Sequence, residues 1–317
     1  MKTVFLDAYT SNPGDLDFEA LRDLGDFRAY DRTECHEVNK RAGDADVIIV
    51  NKFPVNEESL RLMPKVKYIC VAATGYNNID LAATKSRCIK VSNVRGYSVH
   101  GVAQHLFAVL LSYINKPDYY ISEVKKGRWS TTADFCFYDH SISDLSGKTF
   151  GILGYGDIGK KVAGIAVAMG MNVLVHTRTI PEEKHSGINF VDLDTLWKES
   201  DVISLHCPLT SDTKEIINKN TLKLMKPDAI LINIGRGGLI NEDDLLTALN
   251  EELLGCAILD VLQVEPPSVN QELINHPKCL VTPHIAWASK ESRQRLIDGV
   301  AGNIRSWLNG VWINRVE

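Results

Sequence analysis

Two successive series of short β-branched runs, separated by stretches with helical spacing of their apolar residues, limit most strongly how this chain of 317 residues can fold. Strands that alternate with helices form parallel sheets with helices on both faces. The predicted strands are residues 3–8, 46–51, 68–73 and 89–94 in the first series, and 149–154, 172–177, 201–207, 229–235, 256–261 and 279–284 in the second. The predicted fold class is therefore α/β, with two Rossmann-like doubly wound parallel-sheet domains.

The helices that follow these series predict where the two domains begin and end. A long apolar stretch at 102–114 predicts a helix that leaves the first domain. The last helical segment, 288–309, follows the final strand and has nothing of the second sheet left to cover, so we expect it to return to the first domain. Residues 1–99 and 289–317 would then form one discontinuous domain, and residues 100–288 a second, continuous domain.

The segment between the two series, residues 117–147, shows little periodicity. It carries many aromatic residues: Tyr119, Tyr120, Trp129, Phe135, Phe137 and Tyr138. A connector of this length inside a compact chain is uncommon unless it has a function. We expect it to pack against a second subunit, which predicts a homodimer.

Composition and charge exclude several classes of protein. No apolar run approaches the roughly 18 residues that a membrane-spanning helix needs, and the N-terminal MKTVFLDAYT lacks the apolar core of a signal peptide. We therefore expect a cytoplasmic protein with no membrane partner. The net charge of −5 provides no basic surface for nucleic acid. The seven cysteines are scattered without a CxxC pair, which favours buried thiols over a metal site or disulfides.

Gly154, Gly156 and Gly159 form the pattern G-x-G-x-x-G between a predicted strand and a predicted helix. In this context the first glycine allows a tight turn, the second lets backbone N–H groups approach a pyrophosphate, and the third allows close packing of helix and strand. Asp157 is unfavourable beside a pyrophosphate, so we expect its side chain to turn away and cap the helix. The pattern predicts a nicotinamide dinucleotide site.

The next strand, within "NVLVHTRT", ends in Thr177 and Arg178, where dinucleotide-binding units usually have an acidic residue for the ribose hydroxyls. A carboxylate would repel a 2′-phosphate, whereas the Arg178 guanidinium could pair with one. This stretch favours NADP(H). The alternative is that Arg178 is a solvated surface residue and that NAD binds through its hydroxyls.

Three later stretches place chemically suitable side chains after successive strands, where open α/β sheets bind their ligands. Arg236, Glu265 and His284 are these side chains. A guanidinium can bind the carboxylate and keto oxygens of a 2-keto acid, and an imidazolium can protonate the keto oxygen as hydride reaches carbon. A carboxylate beside the imidazole orients it and favours its charged form. Together they predict a hydride-transfer site.

From end to end the chain resembles the D-isomer-specific 2-hydroxyacid dehydrogenases. The motifs that carry this resemblance are the glycine pattern, "HCPLT" (206–210), "INIGRGGLINEDDLLTAL" (232–249), "LDVLQVEP" (259–266) and "TPHIAWAS" (282–289). The resemblance implies that residues 1–99 and 289–317 form the substrate-binding (catalytic) domain and residues 100–288 the dinucleotide-binding Rossmann domain. It implies a catalytic triad of Arg236, Glu265 and His284. It also implies that the loop "VAATGYNNID" holds the substrate carboxylate through the backbone amides of Thr74 and Gly75, and more weakly of Ala73.

The resemblance further implies a set of cofactor contacts around the glycine turn and the later strand ends, with Asp260 at the nicotinamide carboxamide. Beyond residues 154, 156, 177, 178 and 284, these are Asp157, Ile158, His206, Cys207, Pro208, Thr213, Ile234, Gly235 and Asp260. For Cys207 we expect buried packing and no role as a nucleophile.

Within the family, Trp287 after the catalytic motif and the connector at 128–154 are similar to glycerate dehydrogenases, also called hydroxypyruvate reductases. This favours reduction of hydroxypyruvate to D-glycerate, with glyoxylate as a second substrate. Trp287 could equally be a packing residue of the last helix. Two alternatives stay open. One is a dehydrogenase for D-lactate or another 2-keto acid, and the other is a non-enzymatic, NAD(H)-sensing corepressor-like protein.

Overall fold

The computed structural model describes residues 1–182 and 186–316, which divide into two compact units. One unit is Met1–Ser98 with Trp287–Glu317, and the other is Val99–Ala286. Residues 183–185 and 317, which the predicted domain ranges include, lie outside the described residues. The assignment of substrate binding to the first unit stays a prediction.

The first unit contains a five-stranded, all-parallel sheet in the order β2-β1-β3-β4-β5. Its strands are β1 (Lys2–Phe5), β2 (Asp26–Ala29), β3 (Val47–Val50), β4 (Tyr68–Val71) and β5 (Lys90–Ser92). Its helices before the second unit are α1 (Glu19–Arg22), α2 (Val38–Ala42), α3 (Glu57–Arg61) and α4 (Leu81–Ser86). Strands β3 and β4 are buried along their whole length, because helices cover both faces of the sheet.

Strand β2 is absent from the sequence prediction. It forms the edge of the first sheet, and most of its residues are exposed. An edge strand with solvated side chains needs no apolar run, so its sequence, DFRA, has no β pattern. The prediction of strands from β-branched runs therefore found only the inner members and one edge of this sheet.

The second unit contains a seven-stranded parallel sheet in the order β12-β11-β10-β9-β6-β7-β8. Its strands are β6 (Thr149–Leu153), β7 (Asn172–His176), β8 (Ile188–Phe190), β9 (Val202–Leu205), β10 (Ile230–Asn233), β11 (Cys256–Leu259) and β12 (Cys279–Val281). Its helices are α5 (Val99–Asn115), α6 (Pro117–Lys125), α7 (Asp157–Ala168), α8 (Leu193–Glu199), α9 (Lys219–Leu222), α10 (Glu242–Asn250) and α11 (Glu272–Asn275). The order reverses at β6, as in doubly wound dinucleotide-binding sheets. The predicted fold class is confirmed for both units.

Two features of the second unit differ from the prediction. The sheet has seven strands rather than six, because the three-residue edge strand β8 was missed. The connector is not without periodic structure, since α6 occupies its first nine residues with Pro117 in the first turn. Beyond α6, the rings of Phe135 and Tyr138 are 88% and 76% exposed. Their exposure agrees with the predicted homodimer, which stays a prediction.

The last helix, α12 (Lys290–Leu308), packs on the first sheet. Its buried apolar side chains, Leu296, Ile297, Val300 and Ile304, share a core cluster with β1, β3 and β4. Trp307 stacks on Tyr68 of β4 with ring centroids 5.0 Å apart. The chain therefore returns to its first sheet after the second unit is complete. None of the helices in the described part of the chain is both long and apolar enough to cross a membrane.

Candidate active site

The carboxyl ends of the strands in the second sheet lie side by side and present consecutive loops. Leu153, the last residue of β6, pairs with His176 of β7 and with Leu205 of β9. The same register continues along β10, β11 and β12. The loops that carry the predicted site residues of this unit therefore start at one edge of the sheet.

The glycine turn has the shape that a pyrophosphate needs. Gly154 has a φ of +97°, and a Cβ there would lie 2.7 Å from the backbone nitrogen of Cys207. A Cβ on Gly159 would collide with the Gly154 carbonyl oxygen, so both positions require glycine. A Cβ on Gly156, the N-cap residue of α7, would meet nothing within 4 Å, which leaves space at the helix N-terminus for an anion.

The prediction that Asp157 caps this helix is wrong. Gly156 occupies the N-cap position, and no side chain caps the helix there. Asp157 is the first residue inside α7, where the side chain does not have the position of a cap. Ile158 follows it in the first turn, half-buried.

The tip of β7 lies against the glycine turn, because the His176 carbonyl accepts a hydrogen bond of 2.8 Å from the Gly154 N–H. Thr177 follows directly and is half-buried, and Arg178 is exposed. The structure thus brings Thr177 next to the turn, at the position where the ribose acid of other dinucleotide sites would lie.

The loop after β9 contains His206, Cys207, Pro208 and Thr213. Burial lowers the pKa of His206 to about 4, so its ring is neutral, and Nε2 lies 2.9 Å from Ser204 Oγ. Burial raises the pKa of the Cys207 thiol to about 11, which keeps it protonated and unsuited to nucleophilic attack. Thr213 Oγ1 donates to the Pro208 carbonyl at 2.6 Å and so closes the loop on itself.

The loop after β10 presents Arg236. Asn233, the last residue of the strand, accepts from the Gly235 N–H at 3.1 Å and donates to the Arg236 carbonyl at 2.9 Å. A Cβ on Gly237 would collide with the Leu262 carbonyl, so the glycine allows this loop to lie directly on the loop after β11. Ile234 is buried below the loop, and the half-buried guanidinium donates to its neighbour, the Gly235 carbonyl, at 2.7 Å.

His284 and Glu265, from the loops after β12 and β11, are in direct contact. His284 Nδ1 lies 2.6 Å from Glu265 Oε2, and Glu265 Oε1 accepts from the Leu262 N–H at 3.0 Å. The side chains are 30% and 36% exposed, respectively. The carboxylate holds one ring nitrogen, which orients Nε2 away from it. His284 has a φ of 54°, in the left-handed region.

Asp260 is buried and binds the backbone next to His284. Its carboxylate accepts from the Ile285 N–H at 2.9 Å and the Ala286 N–H at 2.8 Å. It also accepts from Thr282 Oγ1 at 2.6 Å, and His105 Nε2 lies 3.1 Å from the same hydroxyl. The sequence pointed to Asp260 only as a cofactor contact, whereas the structure shows that it holds both flanks of His284.

In the first unit, the loop after β4 carries Ala73, Thr74 and Gly75. The Ala73 carbonyl accepts from the Val94 N–H at 3.1 Å, and Thr74 Oγ1 donates to the Val94 carbonyl at 3.0 Å. In the described part of the chain, the backbone N–H groups of residues 73, 74 and 75 have no acceptor. Three successive unpaired N–H groups can bind an anion such as a carboxylate.

Sequence reasoning missed three asparagines that shape these loops. Asn51, Asn93 and Asn233 are all buried, and their side chains bind the backbone of a loop that carries predicted site residues. Each terminates or directly follows a buried strand, in "IIVN", "KVSN" and "ILIN". An amide at the end of an apolar run was the signal that could have identified them, because it can donate to and accept from the backbone at once.

Comparison with known proteins points to one family. A family model described as D-isomer specific 2-hydroxyacid dehydrogenase, NAD binding domain, matches residues 107–286. The hydroxypyruvate reductase of Blautia hydrogenotrophica is 41% identical over 321 aligned residues, covering 100% of both chains. The glycerate dehydrogenase of Methylorubrum extorquens is 38% identical over 318, covering 100% of this chain and 99% of the relative.

The fold is similar to solved structures along its whole length. An acyclic imino acid reductase in complex with NADPH and D-Arg matches with a TM-score of 0.83 and 31% identity, and 100% of each chain is covered. The matched region includes the glycine turn, the tip of β7 and the loops after β9 to β12. A nicotinamide dinucleotide is therefore the cofactor class that this unit binds.

Proposed function

Since this chain belongs to the D-isomer-specific 2-hydroxyacid dehydrogenase family, we propose that it is an oxidoreductase that reduces hydroxypyruvate to D-glycerate, with glyoxylate to glycolate as a secondary activity. The observation that carries the reaction type is the contact of 2.6 Å between His284 and Glu265 at the carboxyl edge of the dinucleotide-binding sheet. The choice of hydroxypyruvate is supported by the names of the two relatives that align over the full chain.

When bound, a reduced nicotinamide supplies the hydride that carbon 2 of the keto acid takes up. We propose that His284 Nε2 donates a proton to the keto oxygen in the same step, since Nδ1 is engaged by Glu265. Glu265 keeps the ring oriented. Asp260 binds the Thr282 hydroxyl before His284 and the Ile285 N–H after it, and so supports the position of the proton donor.

The substrate carboxylate has two candidate partners. The unpaired N–H groups of residues 73–75 suit a carboxylate because successive backbone donors without another acceptor can bind an anion. The guanidinium of Arg236 has five N–H donors in a planar fork, and the structure engages it with the Gly235 carbonyl only among the described residues. We propose that Arg236 binds the carboxylate and the keto oxygen together.

We propose that NADP(H) is preferred over NAD(H), because Thr177 leaves the ribose position without a carboxylate and Arg178 adds an exposed cation beside it. Thr177→Asp is expected to shift the ratio of kcat/KM for NADPH over NADH toward NADH by roughly tenfold or more, through repulsion of the 2′-phosphate. Steady-state kinetics with both cofactors measure this ratio. Thr247→Asp, which adds the same charge to the exposed face of α10, is the control and should leave the ratio unchanged. An unchanged ratio in Thr177→Asp would mean that this position does not read the 2′ group.

A panel of 2-keto acids with both cofactors tests the proposed function. We expect the highest kcat/KM with hydroxypyruvate, a lower value with glyoxylate, and lower values still with pyruvate and a branched 2-keto acid. The measurement is the initial rate of oxidation of the reduced nicotinamide. A preference for pyruvate would instead identify a D-lactate dehydrogenase, and negligible turnover with every acid would favour a corepressor-like protein.

A further inference from the structure

One buried side chain fixes the peptide unit that presents the Gly75 N–H. Asn93, directly after β5, donates from Nδ2 to the Thr74 carbonyl at 2.6 Å. In a trans peptide unit the C=O and the following N–H are coplanar and point in opposite directions. The hydrogen bond on the Thr74 carbonyl therefore determines where the Gly75 N–H points.

A second asparagine does the same two peptide units earlier. Asn51, directly after β3, donates from Nδ2 to the Ala72 carbonyl at 2.6 Å, and this bond sets the direction of the Ala73 N–H. The carbonyl between them, on Ala73, is held by the Val94 N–H. Asn93 and Val94 follow β5 whereas Asn51 follows β3, and β4 lies between these two strands. The Thr74 and Gly75 N–H groups are therefore both turned away from the end of β5, while the Ala73 N–H is turned away from the end of β3.

Both asparagines are themselves anchored. The Asn51 N–H donates to Asp7 Oδ1 at 2.8 Å, and Asn51 Oδ1 accepts from Thr10 Oγ1 at 3.0 Å. Because the Ala72 carbonyl can only accept, the NH₂ group of the Asn51 amide faces the loop and Oδ1 faces the Thr10 hydroxyl. The donor is therefore assigned by the hydrogen-bond network around it.

The backbone of Asn93 is held by residues from the end of the chain. Its N–H donates to the Asn314 carbonyl at 3.1 Å, and its carbonyl accepts from Asn303 Nδ2 at 2.8 Å. Asn314 Nδ2 in turn donates to Asn303 Oδ1 at 2.8 Å. Asn93 therefore connects α12 and the segment after it to the loop that carries Thr74 and Gly75.

Stability alone does not account for Asn93. Its Oδ1 is buried and has no hydrogen-bond partner among the described residues. An unpaired buried amide oxygen destabilises a fold, and this cost offsets part of what the hydrogen bond to the Thr74 carbonyl contributes. What Asn93 supplies to the loop is the donor on that carbonyl.

We propose that Asn93 is a positioning residue that aims the backbone N–H of Gly75, beside that of Thr74, at the carboxylate of the substrate. The inference rests on the proposed function, in that the ligand is a small 2-keto or 2-hydroxy acid. The Asn93 side chain does not touch the reacting atoms. It acts through the peptide unit that it orients.

The direct test is Asn93→Ala in the full chain loaded with NADP⁺, with oxalate as a small carboxylate probe. We expect the Kd for oxalate, from titration calorimetry, to rise about 10- to 100-fold, the range for a misdirected hydrogen bond to a charged group. In steady state the KM for hydroxypyruvate should rise in step, while kcat changes less.

Controls separate positioning from a general loss of stability. Thr33→Val removes another buried side-chain donor of the first unit, whose 2.6 Å bond goes to the Leu6 carbonyl, and should leave the Kd for oxalate unchanged. If the alanine variant does not fold, Asn93→Ser keeps a polar group there but is too short to reach the Thr74 carbonyl. Wild-type affinity for oxalate in a folded Asn93 variant, or an equal loss in Thr33→Val, would overturn the inference.

The turnover assay and the oxalate titration distinguish a failure of the proposed function from a failure of the positioning role. If the wild-type chain does not reduce hydroxypyruvate, the proposed function fails, yet the oxalate titration still measures the loop because binding needs no turnover. If the wild-type chain turns over hydroxypyruvate and the Asn93 variants keep their KM, only the positioning role fails. Wild-type protein that does not bind oxalate would also overturn the inference.

Discussion

Replacing His284 with alanine is expected to lower kcat for hydroxypyruvate reduction by ~10²- to 10⁴-fold, the usual contribution of a positioned general acid. The dissociation constant for NADPH should stay nearly unchanged, because the glycine turn and the tip of β7 do not depend on this side chain. The remaining Glu265 carboxylate is 36% exposed, so it stays hydrated without its partner. Steady-state turnover and a fluorescence titration of NADPH measure the two quantities.

The backbone conformation of His284 determines how this variant should be designed. At a φ of 54°, alanine adds backbone strain, whereas asparagine is well tolerated in the left-handed region. His284→Asn should therefore be as inactive as His284→Ala, and a difference between them would reflect strain rather than proton transfer. The exposed His36 provides a matched control, and His36→Ala should keep full activity. Turnover near the wild-type rate in either His284 variant would exclude this residue as the proton donor.

The neighbourhood of His284 and Glu265 could be predicted because strand order and register follow from simple rules. Parallel strands end at one edge of a sheet, and residues that follow consecutive strands meet there. The register of Leu259 of β11 with Val281 of β12 brings the loops of Glu265 and His284 together. The two side chains and the strands before them could be identified in the sequence, and their contact follows from the register of the strands.

The hydrogen bonds that hold the backbone beside His284 and Glu265 could not be predicted from residue spacing. Asp260 is close in sequence to Glu265, but its ligands are backbone N–H groups of Ile285 and Ala286 that belong to another loop. Whether a carboxylate faces a ligand or a neighbouring loop depends on the exact path of the backbone. For the same reason the sequence did not reveal the left-handed conformation of His284.

Sequence analysis missed the edge strands and the buried asparagines for related reasons. Strands β2 and β8 form sheet edges and are exposed or only half-buried, so they carry no continuous apolar run. Asn51 and Asn93 look like ordinary loop residues that follow a strand. The carbonyl groups that their side chains bind lie in the loop after β4, which is distant in sequence from both. Apolar patterning identifies what is buried, but not what a buried amide binds.

Arg236→Lys is expected to lower kcat/KM for hydroxypyruvate on the order of 10²-fold, through both a higher KM and a lower kcat. The lysine ammonium has charge but no planar fork, so it cannot bind a carboxylate and a keto oxygen at the same time. Arg236→Ala, which also removes the charge, should be impaired further. Initial rates at varied hydroxypyruvate and saturating NADPH measure both constants.

Arg236→Lys should change only the side chain and leave the backbone of its loop in place. Asn233 holds the loop through the Gly235 N–H and the backbone carbonyl of residue 236, and neither bond involves the guanidinium. The loop should therefore keep its conformation with lysine, and NADPH should bind as in the wild-type protein. Arg61→Lys, on the exposed face of α3, repeats the chemical change away from the proposed site and should have no effect on either constant. If Arg236→Lys changes KM and keeps kcat, the guanidinium binds the carboxylate and does not contact the keto oxygen in the transition state. The reason is that an interaction lost equally from the ground state and the transition state leaves kcat unaltered.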